Sequence, residues 1–429
     1  MKNFKINFKK TAAAVLAACA LMGLSGCSEK NTGRVDDLNI GPADSSHKSG
    51  DGANISNPQY APIELSGSNT VNSVKLFDVI SADKKNAMFS PISLNMALGL
   101  IEAGAVGDTK AAIASYLQTE NYPDFAQKYM QLAKDSYTFK SKYNDYNNVL
   151  EIANSFWADH ELPLKTDYKK LVSDKFDAEI QSVDFKDKKK TLNKINGWVN
   201  DKTHKMIPSI LQDYDEETAA VLINTIYFES AWVKEWHIDK NNKEAFTLLD
   251  GTTKELPLMY KGVNSYFEND SAEAFSYRYM NGLEFIGILP KESGEFTLES
   301  LDIPSLLENE SYDYDVDAVM PGFAFDSAFA LKDVLTAAGL GDMFDKDKAD
   351  FSGISEVSMW VSEILQKTRI ELDENGTKAA AVTAAMMEAG SAMPVPKEVK
   401  TVRLDRPFAF MIYDSTEDQI LFMGKVTEP

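Results

Sequence analysis

Cysteine and histidine are scarce in this 429-residue chain, which holds two cysteines, Cys19 and Cys27, both near the N-terminus, and four histidines, His47, His160, His204 and His237. A Cys/His metal cluster and a disulfide-stapled scaffold are thereby excluded, since neither has enough partners at a workable spacing. No metal and no cofactor is expected. Positive charge is also short, with 44 Lys and Arg against 65 Asp and Glu, a net charge of −21 and a pI near 4.7. No long basic run reverses this locally, which argues against nucleic acid and against anionic membrane surfaces as partners. The usual enzyme motifs are missing too: there is no G-x-S-x-G elbow, Walker A loop, G-x-G-x-x-G after a strand, H-E-x-x-H or C-x-x-C. His160 and His204 stand among charged residues, where an exposed side chain is a simpler reading than a member of a serine triad. The many carboxylates single out no acid–base pair, so the chain offers no catalytic residue and reads as a non-enzyme.

What is present begins at the N-terminus. Lys2, Lys5, Lys9 and Lys10 precede "TAAAVLAACALMGL", an uncharged run shorter than the roughly 20 residues a membrane-spanning helix needs but suited to an export signal. It ends in Leu24-Ser25-Gly26-Cys27, which resembles the lipobox of bacterial lipoproteins. That resemblance implies cleavage after residue 26, acylation of the Cys27 thiol and loss of four lysines and Cys19 with the signal. The expected product is exported and lipid-anchored in the cell envelope or at the cell surface, touches membrane only through that lipid, and is extracellular if released. Residues 27–61 are polar and rich in Gly, Ser, Asn and Asp, and read as a flexible tether reaching on the order of 30 Å.

From residue 62 to 429 the hydrophobic patterning is dense, and 44% hydrophobic with 10% aromatic residues suffices for one large core. "SPISLNMALGLIEAGA" predicts a helix capped by Ser90, opened by Pro91 and stopped at Gly104, and "GDTKAAIASYL" predicts a second. "NVLEIANSFWAD" and "AAVLINTIYFESAW" predict strands, the latter buried on both faces. Further strands are expected at "LEFIGILP", "DAVMPGFAFD", "WVSEILQKTRIELD", "TVRLDRPFAFMIYD" and "QILFMGKV". Helices concentrate early and strands late, with no repeat and no second linker, which indicates a single α+β domain.

The stretch "ELDENGTKAAAVTAAMMEAGSAMPVP", 371–396, fits no element cleanly. Its alanines and the caps Asn375 and Thr377 allow a short helix, although about 12 to 15 residues is a marginal length without packing. Its parity allows a strand instead: 377, 379, 381, 383, 385 and 387 are Thr, Ala, Ala, Thr, Ala and Met, while the alternate positions carry both charges, Lys378 and Glu388. A small uncharged face suits a strand that slides between strands already packed on a core. Gly376 supplies a backbone free enough to hinge on.

"VSEILQKTRIELDENGTKAAAVTAA", followed by "DRPFAFMIYD" and "ILFMGKVTEP", resembles the hinge, reactive loop and C-terminal strands of the serpins, and "NAMFSPISLNMALGLIEAGAVGDT", "IANSFWAD", "INGWVNDKT", "LINTIYFESAWVKEW", "FIGILP", "VMPGFAFD" and "ADFSGIS" follow in serpin order. The resemblance implies the serpin fold, with eight to nine helices and three β-sheets, the central one able to accept the reactive loop, about 374–396, as an extra strand. It implies a hinge at Glu374, Asn375, Gly376 and Thr377, a small run Ala379, Ala380, Ala381 and Thr383, and a polar "shutter" of Ser90, Ser93 and Asn224 with Gln366 where a histidine is usual. Ser90 as a plain helix cap and Asn224 as a satisfied core amide remain open readings. Gln366 cannot gain charge, so the pH dependence a histidine would bring is not expected. Lys205 stands where the family carries glycine.

The activity so implied is inhibition of serine proteases without turnover. A protease cleaves the exposed loop and, as acyl-enzyme, is carried off when the loop inserts. Counting from Glu374 places the scissile bond at Gly390-Ser391, with Ala389-Gly390, Met387-Glu388 and Ser391-Ala392 as neighbouring registers and Met393-Pro394 disfavoured by its proline. The absence of Arg and Lys from 379 to 396 points to serine proteases with small apolar specificity pockets, elastase-like or subtilisin-like. Met386, Met387 and Met393 suggest sensitivity to oxidation. A monomer is expected. The competing reading is a serpin fold used as a binding module without inhibition.

Overall fold

A computed structural model describes residues 60–119, 121–141, 147–214, 218–377 and 397–429. Cys27, Ala379, Ala380, Ala381, Thr383, Gly390 and Ser391 lie outside the described residues. Eight α-helices fall among the described residues, with three large sheets and a two-stranded ribbon of Glu244–Thr247 and Thr253–Leu256.

The central sheet has seven strands: β1 (Phe139–Lys140), β2 (Asn147–Asp159), β3 (Glu179–Val183), β4 (Ala220–Ala231), β5 (Phe323–Ala330), β6 (Glu363–Asp373) and β7 (Gly376–Thr377). Across the sheet they run β5, β6, β7, β4, β2, with β1 and β3 both on the far edge of β2. β4 is buried along nearly its whole length, as its unbroken apolar run predicts. β6 alternates half-buried and buried residues, so Ile364, Gln366, Thr368, Ile370 and Leu372 all face inward.

Two layers cover the sheet. On the inner face Leu222, Ile226 and Phe228 join the main core with helix α1 (Pro91–Glu102), whose side chains are buried on every side. On the outer face Val221 and Ile223 pack with Trp157, Ile195, Val199, Ile207 and Leu211, which places helix α2 (Lys188–Lys202) and the segment after it over β2 and β4. Ser90 caps α1 as expected, its Oγ accepting from Ser93 N–H, and Pro91 occupies the first turn.

The second seven-stranded sheet contains Phe408–Asp414 between Gln419–Val426 and Glu284–Pro290. The four-stranded sheet runs Glu398–Arg403, Tyr314–Pro321, Leu258–Val263, His237–Ile238. Two expected strands each divide. "DAVMPGFAFD" breaks at Gly322, where Tyr314–Pro321 stays in the four-stranded sheet and β5 enters the central one. "TVRLDRPFAFMIYD" breaks before Pro407, which has no N–H for a ladder.

Candidate functional site

The seam between β4 and β6 sets the geometry. At one end Glu363, Ile364 and Leu365 pair in parallel with Val221, Leu222 and Ile223, so no strand separates them there. At the other end the two-residue strand β7 lies between them. Gly376 and Thr377 pair with Asp373 and Leu372 of β6 on one side and with Ala231 and Ser230 of β4 on the other. Gly376 and Thr377 thus occupy the mouth of the seam. From residue 398 the chain belongs to a different sheet, where Glu398–Arg403 pairs in parallel with Tyr314–Pro321.

Each hinge residue is held individually. Asp373 accepts from Asn375 N–H at 2.7 Å and Gly376 N–H at 3.3 Å, and burial pushes its carboxyl above the usual range despite those bonds. The Asn375 and Glu374 carbonyls accept from the Trp232 and Trp236 backbone N–H groups, both at 2.9 Å, and the Trp232 indole donates to Asp373 O at 3.0 Å. The Glu374 carboxylate pairs with Lys240 at 2.9 Å. Thr377 is buried, its Oγ1 2.7 Å from the Tyr279 hydroxyl, while Tyr279 stacks on Trp232 with ring centroids 4.2 Å apart. Gly376 is required by space. At its φ of +153° a Cβ would collide with the Ser230 carbonyl oxygen and come within 2.7 Å of Ala231 Cα.

Ser90, Ser93, Asn224 and Gln366 converge beneath the middle of the seam, all buried. Ser90 Oγ donates to Leu421 O at 2.6 Å, and Ser93 Oγ bonds Asn224 Oδ1, whose amide in turn donates to Asn154 Oδ1. Gln366 bonds both backbone groups of Ser90: its Oε1 accepts from the N–H at 2.7 Å and its Nε2 donates to the carbonyl at 2.9 Å. A neutral amide meets both needs at once, which an imidazole in one tautomer does from two differently placed nitrogens. The Ser90 side chain thus serves as helix cap and as a tie to Leu421 together.

A segment over the outer face bridges the seam. Asn196 of α2 accepts from Ile210 and Leu211 N–H at 2.8 and 3.0 Å and donates to Leu211 O at 2.7 Å, while Lys367 of β6 donates to Ser209 O at 3.0 Å. His204 and Lys205 begin this segment in left-handed conformation, with φ of +49° and +69°. The glycine expected at 205 is thereby explained, since the position has the backbone that favours it. His204 stacks on Tyr227 and bonds Glu151 at 3.1 Å, and His160 lies 3.4 Å from Asp159. Asp159, His160 and Asp184 bring potential metal ligands within 4.8 Å of one another at the end of β2 far from the hinge, but Asp159 already accepts from Glu161 and Phe185 N–H.

A family model for serpins, serine protease inhibitors, matches residues 68–429. The chain belongs to the serpin family. A serpin-like protein of Methanosarcina acetivorans is 30% identical over 367 residues, covering 83% of this chain and 84% of its own length. Leukocyte elastase inhibitor A of Mus musculus is 28% identical over 387 residues, covering 85% of this chain and all of its own. Among solved structures, the thermophilic serpin Tengpin in its native state superimposes with a TM-score of 0.71 at 28% identity, covering 86% of this chain and 98% of its own. The serpin fold, α+β with its large sheets, is thus established for the described residues. In this serpin the hinge partners Trp232, Trp236, Lys240 and Tyr279 escaped sequence reasoning. The run "YFESAWVKEW" signals aromatic density but not that it folds back onto residues 373–375.

Proposed function

We propose that this serpin is a suicide inhibitor of elastase-like or subtilisin-like serine proteases. The carrying observation is the seating of Gly376 and Thr377 between β6 and β4, with Thr377 buried; the sequence of the loop supports it, since the positions that share the parity of Thr377 up to 387 carry no charge. Insertion after cleavage that kept this register would bring Thr383 between Gln366 and Asn224 and carry Ala379, Ala381 and Ala385 to the remaining inward positions, where small side chains fit best over a packed core.

The protease serine attacks the Gly390 carbonyl carbon, the bond to the Ser391 nitrogen breaks, and the amine leaves with a proton, giving an ester between protease and Gly390. The freed loop then inserts ahead of hydrolysis. At about 0.5 to 1.5 kcal/mol per hydrogen bond, insertion yields on the order of 10 kcal/mol, comparable to the stability of an ordinary domain. The native state is therefore a kinetic trap.

Anchoring through Cys27 is part of the same proposal, supported by the sequence of the signal. Among the described residues no helix is long and apolar enough to cross a membrane. The test is to incubate the detergent-solubilised full chain with pancreatic elastase, subtilisin and trypsin and run a denaturing gel. An adduct the size of both partners with elastase or subtilisin supports the proposal, and sequencing the released peptide locates the bond. Cleavage without adduct and without a rise in thermal stability supports the binding-module reading, and faster trapping of trypsin overturns the specificity. Loss of metabolic palmitate labelling in Cys27→Ser tests the anchor.

A further inference from the structure

The four-stranded sheet carries a groove on its outer face. Along Tyr314–Pro321, Asp315 and Asp317 are exposed while Val316 and Ala318 are buried, so both carboxylates stand on the solvent side. The parallel register sets Val399 of Glu398–Arg403 beside Asp315, and the antiparallel register sets Gly262 beside Asp317. With Asn264 and Tyr277 these four residues border a groove of about 530 Å³. Its floor is open at Gly262, where no atom lies within 4 Å of the place a Cβ would take.

The groove has the chemistry of a surface that awaits a cation with an apolar stem. Val399 is 58% exposed, more than any other large hydrophobic side chain among the described residues. Among the same residues the Asp315 and Asp317 carboxylates have neither a hydrogen bond nor an ion pair. No lysine or arginine lines the groove. Lys261, beside Gly262, directs its ammonium to the Lys234 and Glu235 carbonyls at 3.1 and 2.9 Å, and Lys400 lies over the Tyr314 and Tyr266 rings on the opposite face of its strand. An incoming lysine or arginine can pair its head with the two carboxylates and lay its stem on Val399.

Position indicates which partner brings that side chain. Glu398–Arg403 follows the loop directly, and Val399 is eight residues beyond Ser391, no more than about 28 Å of extended chain. A protease of about 250 residues has a radius of gyration near 18 Å and is more than about 40 Å across. One that holds Gly390-Ser391 in its cleft therefore has the flank that receives the residues after the cut within reach of the groove. We infer that the groove is a docking surface for that flank and takes a lysine or arginine from it, so that Asp315 and Asp317 guide the encounter alongside the loop sequence.

This rests on the reading of the chain as a protease trap, and the tests keep the two apart. The association rate constant of the detergent-solubilised full chain is measured with subtilisin and pancreatic elastase in 20 mM and 300 mM salt. The variants are Asp315→Asn/Asp317→Asn and Val399→Thr, with Glu292→Gln/Glu295→Gln as control. The control removes two exposed carboxylates just past Pro290, at the end of Glu284–Pro290 away from the pairing of Phe285 with Tyr277. The expected result with either protease is association about threefold to tenfold slower at 20 mM salt for both groove variants. At 300 mM salt the deficit of the asparagine pair shrinks and that of Val399→Thr persists. The moles of inhibitor consumed per protease stay at the wild-type value, which a disturbed loop would not allow, and the control keeps the wild-type rate. Unchanged rates with both proteases overturn the inference while leaving inhibition standing, and so does an equal fall in the control, which would be an effect of net charge alone. If wild type forms no adduct, the trap reading fails and the affinity for subtilisin with its catalytic serine replaced by alanine decides the groove. Weaker binding by the asparagine pair supports it, whereas equal binding or none overturns it. A dimer of the chain that the asparagine pair dissolves would assign the groove to a second copy and overturn the inference too.

Discussion

At the scale of single residues, two backbone positions carry opposite lessons. Gly376 sits where any Cβ would run into the β4 backbone, so Gly376→Ala is expected to unseat Gly376 and Thr377 from the seam, breaking the Thr377–Tyr279 contact. The expected outcome is a loop cleaved faster and trapped less, read as a rise in the moles of inhibitor consumed per protease. An unchanged stoichiometry would show that the seated hinge does not set trapping. Lys205 is the reverse case, a side chain where glycine belongs. Its left-handed backbone costs about 1 to 2 kcal/mol, while glycine gives back about 0.4 to 1 kcal/mol through the freer unfolded chain. Lys205→Gly should therefore stabilise the native fold by roughly 0.5 to 1 kcal/mol, seen as a higher urea midpoint, and a lower midpoint would mean that the Lys205 side chain supports the fold in some other way.

At the scale of elements, the buried cluster beneath the seam turns on Gln366. Because its amide meets both Ser90 backbone groups and cannot ionise, the cluster should contribute no pH dependence to loop insertion, whereas Gln366→His should introduce one with a midpoint near the ordinary histidine value of about 6.5. The comparison is the pH profile of the insertion rate for the two proteins between pH 5 and 8, and coincident profiles would remove the cluster from the gate. The same elements show what a sequence discloses. β4 and β6 were legible because an unbroken apolar run and a strict alternation are local properties, and α1 because Ser90 and Pro91 mark its start within two residues. The direct pairing of β4 with β6 at residues 221–223 and 363–365 was not, since it joins segments some 140 residues apart and depends on what lies between them. Nor was the division of "DAVMPGFAFD" at Gly322, because the two halves are told apart by which sheet receives them and not by their pattern. The hydrogen bonds that join Asn196 and Lys367 to the segment over the seam were equally invisible, since their partners are backbone atoms that carry no sequence signature.

At the scale of the whole molecule, charge and burial combine into a statement about pH. Asp78, Glu363 and Asp373 are half-buried, and the loss of hydration raises each above the usual carboxylate value although backbone N–H groups pull the other way. Each then binds its proton more tightly in the folded chain than in the unfolded one. Between the unfolded and folded values the native state holds more protons, so stability grows as pH falls through that window and is lost as pH rises through the folded value. Several surface carboxylates held low by lysines, Glu268 and Glu428 among them, act oppositely, but they are exposed and screened by salt. The net charge of −21 adds self-repulsion that also eases on acidification. In 0.3 M salt the urea midpoint of the native protein should therefore rise or hold level from pH 7 down to pH 5, and Asp373→Asn should flatten part of that slope. Asp373 is also the acceptor for the Asn375 and Gly376 N–H groups, which favour its ionised form, so at the hinge the relief of desolvation on protonation is partly offset by weaker hydrogen bonds. A midpoint that falls steadily from pH 7 to pH 5 in wild type and variant alike would show that the surface pairs outweigh these half-buried carboxylates.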